Sequence, residues 1–457
     1  MKREIKGKRV LVIGSGMSGV GSVRLINEVG AHAVLLEEND KATEEEIREK
    51  LHEQDRKSTR IIIGKIPDEI LDTISLVVPS PGVPLDAPTV LRIKEKNIPI
   101  WSEIELAYNF SKGCMVAITG TNGKTTTTTL VGEIMKAYYS SVYVVGNIGV
   151  SFAENALMMK DDTVIVGEIS SFQLEAVENF HAHVSAILNI TPDHLNRHHT
   201  MECYVQMKEN ITVNCTDADT CVLNYDNEYT RDFGKRCPAG VIFFSTKEKL
   251  EEGLYLEGDE IVMALGGRTV KVMNIHEMNL VGICNVENVM AAIAISLSMG
   301  VPLSTILNVI RDFKAVEHRI EYVATKRGVD YFNDSKGTNP DAAIQGIRAM
   351  SKPTILIGGG YDKGSGFDEW IEAFGDTVKL LVLIGQTKEK IAECARKHGF
   401  ENFVFKDSFE EALEFCTASA SEGDAVLLSP ACASWDMFKS YEVRGKKFKE
   451  YVNRLSD

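Results

Sequence analysis

Short apolar, β-branched runs alternate with stretches of helical periodicity along almost the whole chain. The first run, Arg9 to Ile13, ends in Gly14-Ser15-Gly16-Met17-Ser18-Gly19 and gives way to a helical pattern through Leu25 and Ile26. A second, Ala33 to Leu36, is closed by Glu37 and Glu38, and further short strands read at Arg60 to Ile63, Leu76 to Val78 and Pro99 to Trp101. The charged stretch Lys41 to Lys57 reads as a solvated helix face. This alternation predicts βαβ units on a parallel sheet.

A second set begins near Cys114, where Ala117-Ile118-Thr119 runs into Gly120-Thr121-Asn122-Gly123-Lys124-Thr125-Thr126. It continues with strands at Thr163 to Gly167, Ser185 to Asn189, Thr220 to Asn224 and Val241 to Phe244, then a hairpin over Leu254 to Val272 turning at Gly266-Gly267. Asn285 to Met299 is Ala-rich with apolar residues at helical spacing. A third set reads at Val329 to Phe332, Thr354 to Ile357, Leu380 to Ile384, Phe403 to Phe405 and Ala425 to Leu428. The predicted fold is α/β in three consecutive domains. Residues 1–106 are Rossmann-like, 107–315 form a P-loop ATPase-like parallel sheet, and 316–457 are again Rossmann-like.

Size and charge agree with this division. A chain of 457 residues is too long for one hydrophobic core, and about three domains are expected. A net charge of −15 argues against a broad electrostatic footprint for nucleic acid or an anionic membrane, so anionic ligands must be held by local groups. Nine cysteines without a C-x-x-C pair suit reduced thiols in the cytosol. No apolar stretch reaches the length of a membrane span, and the expectation is a cytoplasmic protein, monomeric by default.

Gly120 to Thr126 has the chemistry of a phosphate cradle: glycines turn backbone N–H groups toward anionic oxygens, a helix N-terminus adds its dipole, and Lys124 supplies a cation. Ile118 stands where the usual first glycine of such loops would be. In open parallel sheets ligands sit beyond the carboxyl ends of strands. There lie Glu168-Ile169-Ser170-Ser171-Phe172-Gln173 and Thr191-Pro192-Asp193-His194, whose Glu168 and His194 are candidate Mg²⁺ ligands. In the third set the strand ends carry Asn333-Asp334-Ser335-Lys336-Gly337-Thr338, Gly358-Gly359-Gly360-Tyr361-Asp362-Lys363 and Ser429-Pro430-Ala431-Cys432-Ala433-Ser434, offering lysines for an anionic substrate. Near the amino terminus G-x-G-x-x-G, with Glu37 eighteen residues after Gly19, fits any diphosphate-bearing nucleotide. Two classes stand open on these residues alone: a nicotinamide-dependent dehydrogenase, and an ATP-using enzyme with a second nucleotide-like substrate.

Taken together, the motifs resemble the Mur ligases of peptidoglycan synthesis. Gly120-Thr121-Asn122-Gly123-Lys124-Thr125 looks like that family's phosphate loop, and Gly146-Asn147-Ile148-Gly149, Glu168 to Glu175 and His318-Arg319 match its motifs in order. Asn333-Asp334-Ser335-Lys336 and Leu428 to Ser434 resemble the members that add D-glutamate. The resemblance implies ATP-dependent addition of D-glutamate to UDP-N-acetylmuramoyl-L-alanine, with two Mg²⁺ ions. It implies catalytic roles for Lys124, Glu168, His194, Lys208 and Arg319, and ATP contacts from Gly120 to Thr126 and from Asn285, Asn288, Arg319 and Asp334. Thr125, Glu168, His194 and Lys208 would serve the metals, with Lys208 carbamylated by CO₂, although residue type alone reads Lys208 as a surface helix position. Met17, Ser18, Glu37, Ser80, Asn147, Ser170 and Gln173 would meet the UDP-sugar, and Lys336, Thr338, Lys363, Ser434 and Tyr441 would receive D-glutamate. Cys284 departs from the family pattern, which commonly has histidine there.

Overall fold

The computed structural model describes residues 4–456. They divide into two compact units, the first running to Val272 and including Val289–Val309, the second holding Met273–Asn288 and the chain from Ile310 onward.

The first unit opens with a four-stranded sheet in the order Arg60–Ile63, His32–Glu37, Arg9–Ile13, Ile74–Pro79, parallel throughout. Its central strands are apolar on both faces, as a sheet covered by helices requires, and Leu11, Val12, Leu35 and Val77 are fully buried. The glycine turn after Arg9–Ile13 leads into the helix Met17–Glu28. A Cβ on Gly19 would lie 2.0 Å from the Gly14 carbonyl oxygen, so helix and turn pack too closely for any other residue. The expected strand at Pro99 to Trp101 is reduced to one bridge between Val77 and Ile100. Helix-capping chemistry takes over directly after Trp101, where the Ser102 hydroxyl accepts from the Glu105 amide and opens Glu103–Phe110. The charged stretch Lys41 to Lys57 is likewise only part helix. A capping box between Thr43 and Glu46 starts Glu44–Lys50, but Asp55 beyond it is buried and accepts from Asn27 Nδ2 at 2.7 Å.

A nine-stranded sheet follows, with Cys114–Thr119 lying between Val164–Glu168 and Val184–Ile187. Val142–Gly146 adds an edge strand that the sequence alternation above does not include. Beyond Val184–Ile187 come Thr220–Asn224 and Gly240–Ser245, still parallel. The predicted hairpin is a three-strand meander, Gly253–Glu257, Glu260–Leu265 and Arg268–Asn274. It turns first at Gly258 (φ +60°) and again at Gly266 and Gly267 (φ +58° and +71°), where two successive positive φ values suit a two-residue hairpin loop.

The second unit carries a six-stranded sheet in the order Glu321–Lys326, Val329–Asn333, Ala425–Leu428, Thr354–Gly358, Val378–Leu383, Phe403–Phe405. All neighbours are parallel except the first pair, which is antiparallel. Arg327 and Gly328, at φ +51° and +73°, make the tight turn joining that pair. Among the described residues no helix is long and apolar enough to cross a membrane.

Candidate active site

The strand Cys114–Thr119 delivers Gly120 to Gly123 to the start of the helix Lys124–Lys136. Gly120 and Gly123 take φ of +154° and +83°, and no side chain caps the helix, so its first amides face the loop. The loop is braced from the next strand end: Asn189 Oδ1 accepts from the Asn122 amide at 2.8 Å and Asn189 Nδ2 donates to Asn122 O at 3.2 Å. Thr121 Oγ1 lies 3.0 Å from the Tyr204 hydroxyl and donates to Thr191 O at 3.2 Å. Lys124 Nζ donates to the carbonyls of Gly120 and Thr121, each at 2.8 Å. Thr125 and Thr126 are buried in the first helical turn.

Lys208 meets the same loop. Its Nζ donates to Gly120 O at 2.7 Å and stands 4.6 Å from the centre of the Tyr204 ring, with the side chain only 2% exposed. This corrects the surface position expected from residue type: the helix Met201–Glu209 turns Lys208 inward beneath the loop. Burial above all, and then the charge of Lys124, push its pKa well below the usual lysine range, which favours the neutral amine.

Glu168 ends the adjacent strand and is 1% exposed. Its Oε1 accepts from Asn147 Nδ2 at 2.8 Å, whereas the buried Oε2 has no hydrogen-bond partner. A carboxylate oxygen left so is costly without a cation, and a hard, oxygen-seeking ion such as Mg²⁺ fits it. Asn147, expected at the UDP-sugar, therefore also orients Glu168. His194 adopts a left-handed conformation (φ +55°) with its ring centroid 4.8 Å from that of Phe172, close in sequence to Glu168.

Toward the four-stranded sheet, Ser15 donates through N and Oγ to Glu37 Oε2 at 3.1 and 2.6 Å. Partial burial raises the Glu37 pKa, but these bonds and that from the Asn39 amide outweigh it and hold the carboxyl below its usual range. Ser80 Oγ donates to Gly14 O at 3.4 Å, which ties the glycine turn to the next strand end, and Met17 stands exposed. Ser170 donates through N and Oγ to Gln173 Oε1 at 2.9 and 3.0 Å. Gln173 and Ser80 line one recess together with Phe172, Glu175 and Arg197. Arg197, which sequence reasoning missed, spans it: Nε and Nη2 grip Glu175 at 3.1 and 2.7 Å, while Nη1 and Nη2 donate to Pro81 O and Val83 O. Only the long-range contact reveals this role, since nothing local in His194-Leu195-Asn196-Arg197 sets the arginine apart.

In the second unit Asp334, Lys336, Thr338, Lys363 and Ser434 follow strand ends, Tyr441 opens the helix Tyr441–Arg454, and Arg319 precedes the strand Glu321–Lys326. Asp334 is buried, with Oδ2 accepting from Ser429 Oγ at 2.6 Å and Oδ1 from the Ile320 amide. Burial drives its pKa up to about 7, against the pull of Ser429 and Arg319. Lys336 Nζ sits 3.9 Å from the centre of the Tyr441 ring, and the Thr338 amide donates to Lys336 O at 2.8 Å. Lys363 lies 5.7 Å from the Trp435 ring centre. Ser434 is buried with an unpartnered Oγ, a group a polar ligand would satisfy. Arg444, also missed, is buried and donates to Ser335 Oγ, Ser335 O and Cys432 O, bracing the loops that follow the strands Val329–Asn333 and Ala425–Leu428. Asn285 Nδ2 donates to Val281 O and Asn288 Nδ2 to Asn285 Oδ1, both on the helix Ile283–Ser298. Cys284, beside them, packs against the apolar core of the unit, and burial lifts its thiol to about 12.

Known proteins align with this arrangement from end to end. The family model for the Mur ligase MurD-like N-terminal domain matches residues 8–102, that for the Mur ligase middle domain 118–296, and that for the Mur ligase glutamate ligase domain 318–432. A UDP-N-acetylmuramoylalanine--D-glutamate ligase of Lachnospira eligens is 56% identical over 99% of this chain and 100% of its own. A protein of the same name from Clostridioides difficile is 45% identical over 99% and 100%. The chain belongs to the Mur ligase family.

Solved Mur ligases share the fold at lower identity. The UDP-N-acetylmuramate-alanine ligase of Thermotoga maritima superposes with a TM-score of 0.60 at 19% identity, covering 98% of this chain and 99% of that one. The MurF of Acinetobacter baumannii gives 0.59 at 15%, covering 96% and 93%. In this Mur ligase the three family domains are α/β throughout, and the phosphate-loop residues, Glu168, Lys208 and the residues expected at the UDP-sugar lie in the first unit. Asn285, Asn288, Arg319, Asp334 and the residues expected at D-glutamate lie in the second.

Proposed function

We propose that this Mur ligase joins D-glutamate to UDP-N-acetylmuramoyl-L-alanine at the expense of ATP, in cytoplasmic peptidoglycan precursor synthesis. The observation that carries the reading is the phosphate loop at Gly120 to Thr126 with a buried, half-satisfied carboxylate, Glu168, at the neighbouring strand end. A nicotinamide-dependent dehydrogenase would leave that loop without a role. Relatives that bear the D-glutamate ligase name align over the whole chain and support the choice of amino acid.

Domain boundaries near residues 106 and 315 are proposed on the same ground, since they fall in the gaps between the matched family domains. Gly14 to Gly19 with Met17, Ser18, Glu37 and Ser80, joined by Asn147, Ser170 and Gln173, would receive the UDP-sugar. Gly120 to Thr126 would hold the ATP phosphates, and Asn285, Asn288, Arg319 and Asp334 are proposed as further ATP contacts. Lys336, Thr338, Lys363, Ser434 and Tyr441 would take D-glutamate, the lysines facing its carboxylates. A monomer is proposed, because one chain carries every group the reaction needs.

A carboxylate is a poor electrophile and must first be activated. The L-alanyl carboxylate attacks the γ-phosphorus of ATP in line, ADP leaves, and an acyl phosphate forms. The amine of D-glutamate then attacks the acyl carbon, phosphate departs, and the amide remains. In the first step two anions approach each other, so Lys124 and Arg319 act by neutralising and aligning them. Loss of one such contact costs about 3 kcal/mol, roughly a hundredfold in rate. Thr125 and Glu168 would hold one Mg²⁺, and His194 with Lys208 a second. When bound, the ions supply charge neutralisation at the phosphate oxygens. Lys208 suits carbamylation because its burial favours the neutral amine: nitrogen adds to CO₂, loses a proton and becomes an anionic carbamate beside Gly120.

Phosphate release measured with ATP, UDP-N-acetylmuramoyl-L-alanine and single amino acids tests the reading. D-Glutamate should stimulate release, and stimulation by L-lysine or diaminopimelate in its place would overturn the assignment.

A further inference from the structure

Apart from the residues given a role above, the second unit sets Asp368, Cys394 and His398 together. Cys394 and His398 are four residues apart on the helix Lys388–Lys397, with His398 as its C-cap, and so project from one face. The short helix Asp368–Glu372 packs against it and brings Asp368 and Glu372 to that face. One ligand atom each from Asp368, Cys394 and His398 lies within 4.8 Å of the others. The histidine ring has its two nitrogens turned to different carboxylates. Nε2 lies 2.9 Å from Asp368 Oδ1, and Nδ1 lies 3.4 Å from Glu372 Oε1. This is the arrangement that fixes a metal-binding imidazole, in which the nitrogen away from the metal donates to a carboxylate.

We propose that Asp368, Cys394 and His398 bind a borderline-soft divalent cation of the Zn²⁺ type, with Glu372 orienting the histidine. Bond lengths of about 2.0 to 2.3 Å place tetrahedral zinc donors about 3.3 to 3.8 Å apart. Small side-chain rotations therefore close the observed set around an ion, with water in the fourth position. Lys397 Nζ donates to Asp368 Oδ1 at 2.8 Å, but its side chain is 71% exposed and can swing into solvent. The carboxyl of Asp368, held down to about 2 by its bonds from His398 and Lys397, is already ionised. Burial keeps the Cys394 thiol above its usual range, so ligation converts S–H to a metal-bound thiolate; the proton that His398 Nε2 gives to Asp368 is displaced as well, and both leave to the buffer.

A second group, His181, Cys215 and Asp219, is spatially similar but already committed to its loop. Asp219 Oδ2 accepts from His181 and from both N and Oγ1 of Thr216, and the Cys215 thiol donates to Ala182 O. It serves as the internal control.

The test is a Co²⁺ titration of the full chain in saturating Mg²⁺, followed by absorbance. One equivalent of Co²⁺ should produce a thiolate-to-cobalt charge-transfer band with tetrahedral d–d bands, and should release protons to the buffer. Cys394→Ser should abolish the charge-transfer band and Cys215→Ser should leave it. Glu372→Gln should weaken binding about tenfold to a hundredfold. Absence of the band in the unaltered chain, or its survival in Cys394→Ser, would overturn the proposal. Cys394 is half-buried on a surface helix, and the circular dichroism spectrum of its serine variant checks that the fold is retained.

Discussion

Lys208 and Lys124 converge on one acceptor, the carbonyl oxygen of Gly120, at 2.7 and 2.8 Å. Two ammonium groups so close are unfavourable in a buried setting, and the more buried Lys208 is the one driven toward the neutral amine. A neutral amine is the form that adds CO₂. Lys208→Ala should lower turnover by at least about a hundredfold, with partial recovery on adding small carboxylic acids that replace the carbamate. Carbon-13 NMR of the unaltered chain in ¹³C-bicarbonate should show a carbamate resonance that Lys208→Ala lacks. A fully active alanine variant would remove the role.

Lys124→Ala should abolish ATP turnover and leave binding of the UDP-sugar within about threefold, because Lys124 belongs to the loop at Gly120 whereas Glu37 and Ser80 belong to a different sheet. Isothermal titration with the UDP-sugar alone distinguishes the two effects. Equal loss of both would contradict the division of ligands between domains.

Arg197 holds the loop after Ile74–Pro79 to Glu175 through a bidentate pair in which both side chains are about one-tenth exposed. Arg197→Ala leaves Glu175 without its cation and should cost about 3 to 5 kcal/mol of stability. It should also raise KM for the UDP-sugar while KM for ATP stays constant. Arg197→Lys, which keeps the charge without the fork, should fall between.

Glu103 is buried at the start of its helix, where it accepts from the Ala153 amide at 3.0 Å, and burial lifts its carboxyl to about 7. The folded chain therefore holds this proton more tightly than the unfolded chain, whose carboxyl has the ordinary value of 4.5. The stability this group lends is fully present below that ordinary value and is lost as pH rises to about 7. Glu103→Gln fixes the uncharged form. Its melting temperature should match that of the unaltered chain at acid pH and exceed it increasingly until neutrality, then by a constant amount. A gap that stays the same at every pH would contradict this.

These examples also show which features a sequence displays. Gly120 and Gly123 are legible because the constraint is local: each takes a backbone angle that favours glycine, directly beside the lysine and the helix start. The three sets of strands are legible because buried parallel strands are continuous apolar runs. Lys208 is not legible as a buried group, since its environment comes from Gly120, remote in sequence. The clamp of Asn189 on Asn122 and the reach of Arg197 to Pro81 and Val83 are hidden for the same reason. The meander after Gly253 is half visible: Gly266-Gly267 announces its turn, whereas Gly258 turns the chain with only one glycine as a signal.

If the L-alanyl carboxylate is activated by phosphoryl transfer, one of its oxygens passes to the phosphate that is released. UDP-N-acetylmuramoyl-L-alanine labelled with ¹⁸O in its carboxylate, incubated with ATP and D-glutamate, tests this by mass spectrometry of the released phosphate. One ¹⁸O atom in each phosphate, appearing in step with the amide product, is the predicted result; unlabelled phosphate accompanying amide formation would contradict the acyl-phosphate route.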